Sequence, residues 1–357
     1  MSRSYNILCI DGGGTRGVIP ARILQNLWKD TGKHPKDLFY LMAGTSTGGI
    51  LCTGYAYGIP PDTMLELYLN KARKIFKDSL FDDFRDFGKL RGADYSNKGL
   101  EKELKAIFGS DTLHSIYDKN MASDMGRLMV CTFDLNPKKT HPETGVKRNI
   151  NYRPKLYHSE FKRDQDESLV DICLRTSAGP TYFPIYEQFI DGGVTMNNPS
   201  MAALAYAINK NEDRKKEYRH PDGVKKGLGL DTKNIKMLSL GCGTSNRNFI
   251  DIDKIKEKKD GDWGSVQWLK YLPDMLTETN VQASEYYAEQ VLTDKNYLRV
   301  QLYFDNENAP NIIKDQVNKG KVLGLDVKDP KTLQSMVDYA DIIYEKRKEE
   351  IVNLLEL

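Results

Sequence analysis

Several absences narrow the function of this 357-residue chain before any motif is read. There is no charge imbalance: 52 Lys and Arg stand against 50 Asp and Glu, for a formal charge of +2. That balance argues against a nucleic-acid polymer held on a broad basic face. There is no C-x-x-C pair. The five cysteines, Cys9, Cys52, Cys131, Cys173 and Cys242, are odd in number and scattered, so neither a zinc site nor a disulfide framework is signalled. Most sit among apolar neighbours and read as inert buried thiols. No apolar run approaches the ~18 residues of a membrane span, and residues 7–10 are too short for a signal-peptide core. The expectation is a soluble, cytoplasmic protein whose contact with membranes is peripheral and transient.

What is present is an alternating order of elements. Residues 6–10 read as a short buried strand ended by Asp11 and three glycines, and residues 18–29 show helical spacing. Residues 38–43 read as a second strand and residues 47–57 as a tightly packed helix of small residues. Strand, glycine loop, helix, strand, serine turn, helix implies an α/β fold around a mostly parallel sheet. Further on, 62–76, 96–108, 169–176, 201–208 and 329–357 read as helices, and 266–292 as a long helix broken at Pro273. Residues 127–133, 185–190, 235–240 and 297–303 read as strands, with 151–157 pairing near the first. The charged stretch 209–231 reads as a surface excursion. We expect residues 6–206 to form a catalytic core carrying all the motifs. Residues 207–357 would complete the sheet through a strand near 235–240 and add helices within the same structural unit.

Gly44-Thr45-Ser46-Thr47-Gly48 is a G-x-S-x-G pattern between an apolar strand and a helix, the context that exposes a serine hydroxyl on a strained turn. Ser46 is therefore the candidate nucleophile; the plainer alternative is a helix start in which Ser or Thr merely caps. The segment Asp11-Gly-Gly-Gly-Thr-Arg-Gly17 satisfies G-x-G-x-x-G as well. A dinucleotide site needs an acidic residue at the end of the next strand. Ala43-Gly44-Thr45-Ser46 stands there instead, so the glycines read as oxyanion donors. The candidate N–H groups are those of Gly12, Gly13, Gly14, Thr15, Arg16 and Gly17, with that of Thr47 just after the nucleophile. Arg16 either adds positive charge there or pairs with Asp11 or a C-terminal carboxylate.

A serine needs a base. Of the histidines (His34, His114, His141, His158, His220) none ends a recognisable strand. His220 follows Ser46 and Asp191 in the chain order of α/β-hydrolase triads, yet Glu217-Tyr-Arg-His-Pro-Asp-Gly223 reads as a charged loop. Asp191 ends an apolar strand and is followed by Gly192 and Gly193. Burial can raise a carboxyl pKa until it works as a base near neutrality. Against Asp191 stands the frequency of Asp-Gly turns at strand ends.

Together these residues resemble the patatin-like phospholipase family. Gly12 to Gly17 match its glycine segment, with Arg16 at the basic position; Gly44 to Gly48 match its nucleophile motif, and Asp191 to Gly193 its Asp-Gly-Gly/Ala motif. Secondary matches are residues 176–184, 197–199 and 239–244. The resemblance implies a three-layer α/β/α lipid acyl hydrolase using a Ser46–Asp191 dyad, with no catalytic histidine, metal or cofactor. In that reading Gly13 and Gly14 hold the oxyanion, and the partners are membrane phospholipids. Bacterial patatin-like effectors of antiphage signalling, switched on by cyclic nucleotides to degrade membranes, are similar in architecture. That likeness implies a small-molecule activator such as a cyclic nucleotide and leaves an oligomer open. The alternative is a Ser-His-Asp esterase acting on small soluble esters through His220. Leu80, Phe81, Phe84, Phe87 and Leu90 form an apolar stripe, either a lid or a packed helix face, and Trp263, Trp268, Tyr271 and Leu272 admit the same two readings. The basic runs 214–226 and 254–259 are interrupted by acids and read as solvated faces.

Overall fold

Successive side chains of a strand point to opposite faces, and β1 (Tyr5–Ile10) is apolar on both. Leu8 and Ile10 enter one buried cluster while Ile7 and Cys9 enter another, so the strand is covered above and below. That is the condition of a central parallel strand. The computed structural model describes residues 3–75, 93–140, 147–210, 227–245, 253, 262–269, 271–318 and 324–357.

Around β1 lie β2 (Leu41–Thr45), β3 (Arg127–Asp134), the separate pair β4 (Lys138–Thr140) and β5 (Lys147–Asn149), then β6 (Arg153–His158), β7 (Phe189–Asp191), β8 (Ile235–Leu240) and β9 (Tyr297–Val300). The main sheet runs β6-β3-β2-β1-β8-β9, with β7 also on β3. Five strands are mutually parallel, and β6 and β7 are antiparallel to β3. One face is covered by α1 (Val18–Thr31), α3 (Thr47–Tyr57), α4 (Pro61–Ile75), α5 (Asn97–Phe108), α7 (Leu169–Thr176) and the terminal helix Pro330–Leu355. The other is covered by α9 (Ser200–Ile208) and the helix Leu272–Val291. The architecture is therefore three layers, α/β/α, about a mostly parallel sheet.

The C-terminal part is woven into this sheet. β8 pairs with β1 along its whole length, β9 pairs with β8, and the terminal helix is tied to α1 by Arg22 and Asp341 at 2.6 Å.

Local differences from the sequence expectations have local causes. Residues 38–40 do not open β2, because His34 caps a helical turn, α2 (Pro35–Leu38), through Nδ1 to the Lys36 N–H. The stretch 266–292 divides into Ser265–Leu269 and Leu272–Val291, with Pro273 in the first turn of the second helix, where its missing N–H is harmless. The helices α6 (Leu113–Met121) and Asn311–Asn318 are not anticipated by the spacing. Between α7 and α9, a short turn, α8 (Gly193–Met196), follows β7 directly. The apolar stripe 80–90, the basic runs 214–226 and 254–259, His141 and His220 lie outside the described residues. Trp263 packs against Trp268 and Tyr271, with ring centroids 5.2 and 5.4 Å away.

Candidate active site

The register around β3 explains how two distant motifs meet. Cys131 lies opposite Thr45 of β2, and the next residue, Thr132, lies opposite Asp191 of β7. Because β6 occupies the other side of Thr132, β7 must run along the edge that β2 has just vacated. Ser46 and Asp191 therefore approach each other head-on beside one strand.

Ser46 has φ 54° and ψ −123°, a conformation that side chains rarely adopt, which holds of the order of 1–3 kcal/mol of strain. The helix α3 that it opens passes too close to β2 and to the neighbouring β1 for side chains at the flanking positions. A Cβ on Gly44 would lie 2.1 Å from the Gly48 carbonyl oxygen, and one on Gly48 would lie 2.1 Å from that of Ile10. Thr176 steadies the turn: its hydroxyl accepts from the Ser46 N–H at 2.8 Å and donates to the Cys131 carbonyl at 2.5 Å. Thr45 Oγ1 donates to the Met196 carbonyl at 2.6 Å, tying the serine turn to the loop that follows Asp191.

The Asp191 carboxylate lines the cleft with Ser46, and its Oδ1 accepts the Gly193 N–H at 2.7 Å. Burial raises its pKa from 3.8 to about 6, and the nearby Ser46 hydroxyl and Gly193 N–H offset part of the rise. The group is thus a carboxylate at neutral pH with an appetite for a proton. None of the described histidines lines this cleft. His34 caps α2, His114 pairs with Asp118 at the surface, and His158 packs against Phe161 and Tyr206. Burial pushes the His158 pKa down to about 3 and keeps it neutral.

The glycine loop divides its N–H groups between structure and cleft. Gly12 donates to the Asn197 carbonyl at 3.0 Å, Thr15 to that of Leu325 at 2.7 Å, and Arg16 to that of Gly13 at 3.1 Å. Among the described residues no acceptor meets the N–H of Gly13 or Gly14, and both residues line the cleft beside Ser46. Thr47 opens α3, where first-turn N–H groups have no partner inside the helix. Gly17 packs so closely that a Cβ would lie 2.2 Å from Thr47 Oγ1. Gly192 packs likewise on the Cys131 carbonyl. Arg16 lines the cleft, while the partner of Asp11 is Arg299, at 2.5 Å.

From this polar end a cleft of about 500 Å³ extends between apolar walls that include Ile50, Leu67, Ile75, Leu100, Phe183 and Leu276. A few convergent polar groups at one end of an apolar cavity suit a molecule with one polar junction and a long hydrocarbon part. Thr176 and Asn197 stand inside sequence segments already noted, without a role attached. Leu325 and Arg299 come from a region with no motif at all, and only the fold brings them here.

The family model described as patatin-like phospholipase matches residues 8–204. The chain is 28% identical to Patatin group M-3 of Solanum tuberosum over 335 residues, covering 84% of this chain and 77% of that one. It is 27% identical to Patatin-like protein 1 of Arabidopsis thaliana over 392 residues, covering 97% and 86%. Among solved structures it is similar to VipD from Legionella pneumophila, with a TM-score of 0.42 and 12% identity, covering 97% of this chain and 67% of that one.

Proposed function

Because this chain belongs to the patatin-like phospholipase family, we propose that Ser46 and Asp191 are the dyad with which it hydrolyses fatty-acyl esters of membrane glycerophospholipids. The enzyme is a lipid acyl hydrolase of the serine type. The observation that carries the dyad is the meeting, at the polar end of the cleft, of Ser46 on its strained turn with the buried Asp191 carboxyl, whose pKa burial has raised to about 6.

In this mechanism Ser46 Oγ adds to the ester carbonyl carbon as its proton passes to Asp191. Charge builds on the carbonyl oxygen, where the N–H groups of Gly13, Gly14 and Thr47 receive it; one such donor is typically worth ~10²–10³ in rate. The intermediate collapses by breaking the bond to the glyceryl oxygen, which takes the proton from Asp191. Water then adds to the acyl-enzyme, giving its proton to Asp191, which passes it back to Ser46 Oγ as the fatty acid leaves.

The apolar walls would hold the acyl chain. Leu272 and Leu276, 40% and 54% exposed, border the cleft and offer apolar surface to a bilayer at its mouth. Among the described residues no helix is long and apolar enough to cross a membrane, so the contact proposed is peripheral. The test is lipid mass spectrometry of membrane extract incubated with wild type and with Ser46→Ala. Free fatty acid and lysophospholipid made by wild type alone are expected; equal products from both proteins refute the reading.

A cyclic-nucleotide-gated form of this activity in antiphage signalling is an extension that rests on resemblance to bacterial effectors. Full hydrolysis by purified protein without nucleotide, together with no nucleotide binding, would exclude it.

A further inference from the structure

The oxyanion loop begins at Asp11, and the side chain holding Asp11 comes from the far end of the chain. Arg299 of β9 meets the Asp11 carboxylate through both terminal nitrogens, at 3.0 Å to Oδ1 and 2.5 Å to Oδ2. The same guanidinium donates to Ser239 Oγ at 2.9 Å, on the β8 residue that is its register partner. Ser239 Oγ in turn accepts from Ser200 Oγ at 3.0 Å, at the start of α9. The pair is almost closed to water, with side-chain exposures of 6% and 3%.

Two charges taken out of water are a poor way to gain stability, since apolar replacements of similar volume are often as good. A two-pronged arginine–carboxylate contact does supply geometry, because it fixes the plane and direction of the carboxylate. The consequence is local. The Asp11 N–H is held by the Leu240 carbonyl at 3.0 Å, its carbonyl by Cys242 Sγ at 3.3 Å, and its side chain by Arg299. With all three directions set, the chain enters Gly12 to Gly14 along one path, leaving Gly13 and Gly14 on the cleft side. Arg299 also neutralises a carboxylate that would otherwise stand, unpaired and buried, just before the donors that receive the oxyanion.

We propose that Arg299, outside the segment matched by the family model, is a positioning residue: by clamping Asp11 it aims the Gly13 and Gly14 amides at the developing oxyanion. The proposal rests on the dyad reading for its catalytic consequence, but the ordering of the loop is measurable without it.

The experiment compares wild type with Arg299→Gln, Arg299→Lys and Asp11→Asn, using hydrogen exchange and steady-state kinetics on a soluble acyl ester. Faster exchange confined to residues 12–17 is expected in Arg299→Gln, with β1 and α1 still protected. Its kcat should fall ~10²-fold, the scale of a lost oxyanion donor, with KM within twofold and the acid limb of the pH profile unmoved. Arg299→Lys, keeping the charge but not the fork, should recover part of the loss. Unchanged loop exchange, or loop release without a fall in kcat, overturns the proposal. So does exchange raised equally across the sheet, which marks the pair as structural only. Should Arg299→Gln fail to fold, Arg299→Lys and Asp11→Asn are judged by the same criteria. Failure of the dyad reading would show separately, as full activity of Ser46→Ala, whatever loop exchange reports.

Discussion

Replacing Asp191 by Asn should destroy activity and stabilise the protein, and the second effect should depend on pH. In the native state the carboxyl pKa is raised from 3.8 to about 6, chiefly by burial. A group whose pKa is raised by folding costs nothing below its unfolded value, where both states are protonated. Between the two values it costs progressively more, because the unfolded chain ionises while the native carboxyl stays protonated, and above the folded value the cost is full and constant. The rise from 3.8 to about 6, at ~1.4 kcal/mol for each tenfold, amounts to ~3 kcal/mol above pH 7. Asn removes the charge and keeps one carbonyl oxygen to accept the Gly193 N–H. The strength of that bond to the ionised form is already contained in the value of about 6, so the gain above pH 7 should be about 3 kcal/mol over that at pH 4. In a chain of this length that is on the order of 4 °C in Tm. Activity should fall ~10³-fold or more, as expected for loss of a general base. The assay is thermal unfolding of both proteins from pH 4 to pH 8 beside ester hydrolysis at pH 8. The Tm difference should be near zero at pH 4 and grow through pH 6. A gain of equal size at both ends, or a variant retaining a tenth of wild-type activity, would refute the argument.

Three further outcomes follow from the same geometry. With Asp191 as the proposed base, active only when deprotonated, log kcat/KM should climb with pH through an apparent pKa near 6, measured on a soluble ester whose own ionisation is constant. His220→Ala should keep at least half of wild-type kcat, whereas a triad enzyme would lose ~10³-fold or more; kinetics beside Asp191→Asn separates the two. Gly14→Ala should cut kcat at least tenfold and lower stability by about 1–3 kcal/mol, read as kcat and denaturation midpoint. Its φ of 56° strains alanine, and the new Cβ would lie 2.0 Å from the Leu325 carbonyl oxygen that holds Thr15.

Whatever depends on a few neighbouring residues was legible in the sequence. The strained turn at Ser46 needs small flanking residues in any α/β context, so Gly44 and Gly48 announce it. The all-apolar strands β1 and β2 likewise announce a sheet covered on both faces, because strand side chains alternate and each face must be buried. Asp191 was legible as a carboxylate at a strand end. What no local pattern carries is register. That Asp191 falls beside Ser46 depends on β7 occupying the edge of β3 one residue beyond β2. Its pKa depends on the burial that this arrangement creates. In the glycine loop the Gly12 and Thr15 N–H groups are engaged by Asn197 and Leu325, whose carbonyls arrive from elsewhere in the chain. Arg299 had no motif because a single arginine in a strand has meaning only once β8 places that strand opposite Ser239 and within reach of Asp11. Backbone strain and apolar alternation are short-range properties that a sequence displays directly. Hydrogen-bond partners across a sheet, and the desolvation they share, exist only once the chain has closed upon itself.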